Sequence, residues 1–153
     1  MRSLITVALM ATFSPFVAAY ALVLWKPDRW GDTLNPFAIL FMAYLGMLTF
    51  PGLIPYVIAL IATPLVMSAV AKQDFFRLAS KRTLLLGALG AGMIAGLLVM
   101  APAMVQSTKH NSLDLTLNWG FAGAVSGGLS LVVITLVYRR SLNSAPTPPH
   151  AGA

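Results

Sequence analysis

The chain has 153 residues, 58% hydrophobic and 9% charged, with a mean hydropathy of +0.83 and a formal net charge of +6. A soluble domain carries about 25% charged residues on its surface, so this composition excludes a water-facing globule and leaves lipid as the surrounding solvent. The absence of cysteine excludes disulfides, thiolate metal sites and thiol chemistry, and the length leaves no room for a soluble enzyme domain beside a membrane bundle.

The ten Lys and Arg face four acidic residues, all Asp. The charges lie at the ends of apolar runs, where membrane anchoring accounts for them better than nucleic acid does. Nucleic acid is therefore not an expected partner.

Residues 4–25 form the first apolar run, behind Arg2. Ala19-Tyr20-Ala21 has the look of a signal-peptide cleavage site. The run nevertheless continues to Trp25, beyond the ~7–15 residues of a signal peptide's apolar region, so a retained membrane helix is expected, with Pro15 inside it. The link 26–36 is polar, with Lys26 and Arg29 balanced by Asp28 and Asp32. Trp25 and Trp30 suit the headgroup layer, and Asn35-Pro36 reads as a helix start.

The second run, 37–71, is too long for one upright span, since at ~1.5 Å per residue it would reach roughly 52 Å against a ~30 Å hydrocarbon core. It also holds Pro51, Pro55 and Pro64, each of which removes a helical donor. One kinked span, an interfacial segment followed by a span, and two short spans all fit the pattern. Charge decides between an odd and an even number of crossings. The loop 72–82 carries Lys72, Arg77, Lys81 and Arg82 against Asp74, which places it in the cytoplasm with the basic N-terminus. Two cytoplasmic points need an even number of crossings, so the second run crosses once, as a kinked helix. Within the loop, Asp74 to Ser80 can form a short amphipathic turn on the membrane, though ordinary anchoring accounts for it as well.

The third and fourth runs, 83–105 and 119–138, are unambiguous spans. The polar residues 106–118 read as the loop between them. Arg139-Arg140 puts the C-terminus inside, and the Pro-, Ala- and Ser-rich segment 141–153 reads as a disordered tail. The expected fold is all-α: a single domain, 1–140, forming an integral membrane four-helix bundle with both termini cytoplasmic.

Small residues recur at spacing four in both of these spans: Ala88, Gly92 and Gly96 beside Gly87, Ala91 and Ala95, then Gly120, Ala124 and Gly128 beside Gly123 and Gly127. Such spacing puts each row on one helix face, and in lipid the attraction between helices comes from close backbone approach. A tight helix 3–helix 4 hairpin is predicted, with homodimerisation through one row as the rival use.

Catalytic, cofactor and metal residues are all expected to be absent. No Asp, Glu, Lys, Arg or His lies within the four runs, which argues against proton-coupled transport by a monomer. His110 and Asp114 are two ligands where a catalytic zinc usually has three. Most of the hydroxyls within the runs (Thr6, Thr12, Ser14, Tyr20, Tyr44, Thr49, Tyr56, Thr63, Ser68, Ser126, Ser130 and Thr135) can bond their own helix backbone. The one candidate site is the helix break at Thr49, Pro51, Gly52 and Pro55, because interrupted helices expose carbonyls that transporters use.

The succession AYLGMLTFPGLIPY, basic loop, GALGAGMIAGLL and GFAGAVSGGLSLVVITLVYRR, over residues 43–140, resembles small uncharacterised bacterial inner-membrane proteins. The resemblance implies that location and no activity. The small multidrug resistance transporters share the span count but need a carboxylate in the first helix, and this sequence has no Glu. The expected function is a non-enzymatic accessory or interaction subunit. Its partners are the lipid bilayer and either another membrane protein or further copies of itself. The alternative is a small transporter or channel built on the broken second helix.

Overall fold

The computed structural model describes residues 2–25, 41, 53–109 and 113–143. The main elements are α1 (Arg2–Trp25), α2 (Leu53–Val70), α3 (Asp74–Leu78), α4 (Lys81–Lys109) and α5 (Leu113–Asn143). Four of them, all but α3, are long and apolar enough to cross a membrane. No strand occurs among the described residues.

The helices alternate in direction. Thr6 near the start of α1 bonds Tyr138 near the end of α5, and Trp25 at the far end of α1 stacks on Phe121 early in α5, with ring centroids 4.5 Å apart. Helices α4 and α5 form the most extensive pair, α1 lies along α5, α2 lies against α1, and α2 touches α4 only sparsely. Outward-facing positions are large and apolar, such as Ile54, Ile61, Leu65, Leu86, Ile94 and Leu98. Water would penalise such a surface over the whole bundle, and hydrocarbon would not.

Within the second apolar run, residues 53–70 form one helix, 18 residues long and so about 27 Å from end to end. That alone nearly matches the hydrocarbon thickness. Pro55 falls in the first turn of α2, where no donor is required. Pro64 is internal and buried. The break at Thr49, Pro51 and Gly52, and the rest of 37–52 except Phe41, lie outside the described residues, as does the link 26–36. Because Pro55 replaces no hydrogen bond, Pro55→Ala is expected to change stability by less than about 0.5 kcal/mol, measured by unfolding in mild detergent.

Two stretches read as loops are largely helical. Of residues 106–118, those described, 106–109 and 113–118, are all helical, because α4 runs on to Lys109 and α5 starts at Leu113; 110–112 lie outside the described residues. The polar side chains that suggest a loop feed the helix instead: Ser107 Oγ donates to Ala103 O at 2.9 Å and Thr108 Oγ1 to Val105 O at 2.7 Å. Lys109 in the last turn of α4 and Asp114 in the first turn of α5 also complement the helix dipoles. At the other end, α5 extends through residues 141–143 of the expected tail, and 144–153 lie outside the described residues.

The basic loop folds into α3 and the cap of α4. Ser80 Oγ accepts the Thr83 N–H at 3.1 Å, satisfying one of the donors that a helix start leaves free. Phe76 on α3 is buried against Met67, Ala71, Leu84, Ile134 and Tyr138, whereas Phe75 and Leu78 point outward. Arg139 Nη2 donates to the Ala79 carbonyl at 3.3 Å. The start of α1, the segment 72–82 and the end of α5 therefore meet at one end of the bundle.

Candidate functional site

The α4–α5 crossing is a backbone contact. A Cβ added at Gly96 would collide with the carbonyl of Gly123, and one at Gly92 with the carbonyl of Gly127 and, at 2.8 Å, with Cα of Gly128. Conversely, a Cβ at Gly123 would meet the Gly96 carbonyl at 2.6 Å and Met100 Cγ at 2.7 Å. No side chain fits between these turns, so glycine is required at them for steric reasons.

The two small-residue rows of α4 are thereby distinguished. Ala88, Gly92 and Gly96 are buried, while Gly87, Ala91 and Ala95 are exposed. On α5 the glycines that lie against the partner backbone are Gly123, Gly127 and, facing Gly92 and the Leu89 carbonyl, Gly128. Gly120 and Gly128 also lie against side chains, those of Met104 and Leu97 and of Leu89 and Met93 respectively, and Ala124 is half-buried.

Next to this crossing, toward α1 and α2, lies a cavity of about 70 Å³. Gly92, Gly96 and Gly127 form part of its wall, so the glycines that let the backbones meet also leave the space beside them. The remaining wall includes Met10 and Ser14 from α1, Tyr56 and Thr63 from α2, and Ser126, Ser130 and Ile134 from α5. Five hydroxyl-bearing side chains thus line a chamber with no carboxylate, imidazole or amine among the described residues of its wall. Tyr56 Oη donates to the Met10 carbonyl at 2.9 Å, and Ser126 Oγ donates to Gly123 O at 3.3 Å. Ser130 is 4% exposed, and its Oγ has no hydrogen-bond partner.

Chemically, this chamber can hold a small uncharged hydrogen-bonding molecule. Among the described residues of its wall there is no general base and no formal charge. A second, open groove between α1 and α2, of about 450 Å³, is lined by Val7, Val57, Leu60, Ile61, Pro64 and Leu65. The described residues of its lining are all apolar.

Of the residues expected at the helix break, Pro55 is described and stands at the start of α2. The cavity wall begins one residue later, at Tyr56. His110 lies outside the described residues, and no group of three metal-ligating side chains occurs among those described. The buried Asn118, with its Oδ1 unpartnered, has no counterpart in the sequence reading, which placed it in a loop. No family model matches the chain, and neither the curated proteins nor the solved structures contain a significant match.

Proposed function

We propose that the chain is a multi-pass protein of the bacterial inner membrane, with both termini cytoplasmic, that acts by helix–helix interaction rather than catalysis. It serves as an accessory subunit of a membrane complex or as a small homo-oligomer. The observation that carries this reading is the outer face of α4. Gly87 and Gly90 have nothing within 4 Å of where a Cβ would stand, and Ala91 is exposed beside them. Lipid gains nothing from a flat, small-residue face, whereas another helix can approach it closely.

The orientation is supported by the charges collected at one end: Lys72, Lys81, Arg82, Arg139 and Arg140 against Asp74. The other end has Lys109 and Asp114 as its charged residues among those described. The positive-inside bias assigns the first end to the cytoplasm. Reporters fused at residues 72–82 and 110–112 check this, and a reporter that is periplasmic at 72–82 refutes it.

The chain has no native cysteine, so single cysteines at Gly87 and Ala91 report proximity without background. Oxidation in native membranes is expected to cross-link them to a second chain, while a cysteine at Leu65 on the outer face of α2 is not. Gly87→Leu with Ala91→Leu should abolish both the cross-link at a neighbouring position and co-purification in mild detergent, with the bundle still folded. A wild-type protein that is monomeric and unaccompanied refutes the proposal.

The hydroxyl-lined cavity supports a second reading, passage of a small neutral solute along α2. Since Pro55→Ala leaves stability unchanged on the argument above, altered solute flux in that variant would report on the pathway itself.

A further inference from the structure

We propose that the cavity beside the α4–α5 crossing is a water site in the middle of the membrane, with Ser130 as its anchoring ligand. Three observations lead there. The first is depth: Gly92 and Gly96 stand near the midpoint of α4 (Lys81–Lys109), and Ser130 stands near the midpoint of α5 (Leu113–Asn143). The chamber is therefore far from both bundle ends. The second is the orphan hydroxyl. Ser130 Oγ is enclosed and unpartnered, and a hydroxyl in a low-dielectric interior without a partner is unstable relative to one that is bonded. Serine in a helix commonly resolves this by bonding the carbonyl one turn back. Ser126, one turn away, does so, and Ser130 does not.

The third observation is room together with further partners. A buried water needs at least ~10–15 Å³ of accessible space and two to four polar neighbours. The chamber offers about 70 Å³, and the hydroxyl-bearing residues Ser14, Tyr56, Thr63 and Ser126 line it together with Ser130. A dry void is lined by hydrocarbon alone, and this one is not. With no formal charge in the wall, the ligand is neutral, and its size is a few water molecules. Water would also account for a feature of the packing: α2 touches α4 only sparsely, and a bridging cluster would link the Tyr56–Thr63 face of α2 to the hairpin without direct contact.

The test is water-edited solid-state NMR on the full chain in lipid bilayers, following magnetisation transfer from water to assigned sites. Transfer to Ser126, Gly127 and Ser130 is expected to be several-fold faster than to Ile94 and Leu98. Those residues sit on the same turns of α4 that bound the chamber but face outward. It should approach the rate seen at Thr83, exposed at the bundle end. Ser130→Leu, which fills the chamber, should reduce transfer at Gly127 to the level of Ile94 while Thr83 is unchanged. Transfer at Ser126 and Ser130 as slow as at Leu98 in the wild-type protein would overturn the proposal, even if the leucine variant fails to fold. So would xenon-induced shifts at Leu131 and Ile134 of the kind a dry cavity gives.

Discussion

Gly96→Leu is expected to destabilise the bundle by about 3 kcal/mol or more, measured by reversible unfolding in mixed micelles. The reason is the identity of the obstructing atoms. Overfilling a soluble core usually costs about 1–3 kcal/mol because neighbouring side chains shift. Here the added Cβ meets the backbone of Gly123 and Gly127, which cannot rotate away, so α4 and α5 must separate over several turns. The separation removes dispersion contacts along the most extensive helix pair, and lipid does not restore them. Gly90→Ala is the matched control. It lies six residues away on the same helix with nothing within 4 Å, and it should be neutral or stabilising by up to about 1 kcal/mol through lower backbone entropy in the unfolded chain. Equal losses in both variants would mean that glycine acts through helix propensity and not through close approach.

Tyr138→Ala is expected to cost about 3–5 kcal/mol, as deletion of a large buried aromatic does. Tyr138 is 2% exposed and shares a cluster with Met67 of α2, Ala71 just beyond it, Phe76 of α3, Leu84 of α4 and Ile134 of its own helix. Its loss therefore opens a void where four helices meet. Tyr138→Phe keeps the ring and removes the hydroxyl, the acceptor for Thr6 at 3.4 Å. Polar contacts inside membrane bundles average about 0.6 kcal/mol, so the phenylalanine variant should lose no more than about 1 kcal/mol by the same measure. A Phe variant as unstable as the Ala variant would show that hydroxyl bonding, and not ring packing, holds this end together.

How much of this was legible in the sequence depends on the kind of signal. The membrane helices follow from continuous apolar runs, because backbone groups in lipid have no partner except their own helix. Spacing four marks the faces of α4 and α5 on which glycine sits, but it cannot say which of two equivalent rows turns inward. Gly87–Ala91–Ala95 and Ala88–Gly92–Gly96 are indistinguishable until a partner helix is present. The ends were the least legible part. Ser107, Thr108 and Asn118 read as loop residues by polarity, yet the first two bond their own helix and the third is buried. The cavity was not legible at all. Ser14, Tyr56, Thr63, Ser126 and Ser130 come from three helices far apart in sequence, and each alone is an unremarkable membrane hydroxyl.

The pairing of α1 with α5 ties the two ends of the described chain together, through residues 132 positions apart at Thr6 and Tyr138. During biosynthesis the first helix enters the bilayer long before its main neighbour exists, so it must wait there with its inner face against acyl chains or a chaperone. The α4–α5 hairpin can assemble locally once its own two segments emerge, but the whole cannot lock until the last helix is inserted. Translation products truncated before α5 would therefore leave Thr6 and Trp25 of α1 without the partners that the last helix supplies.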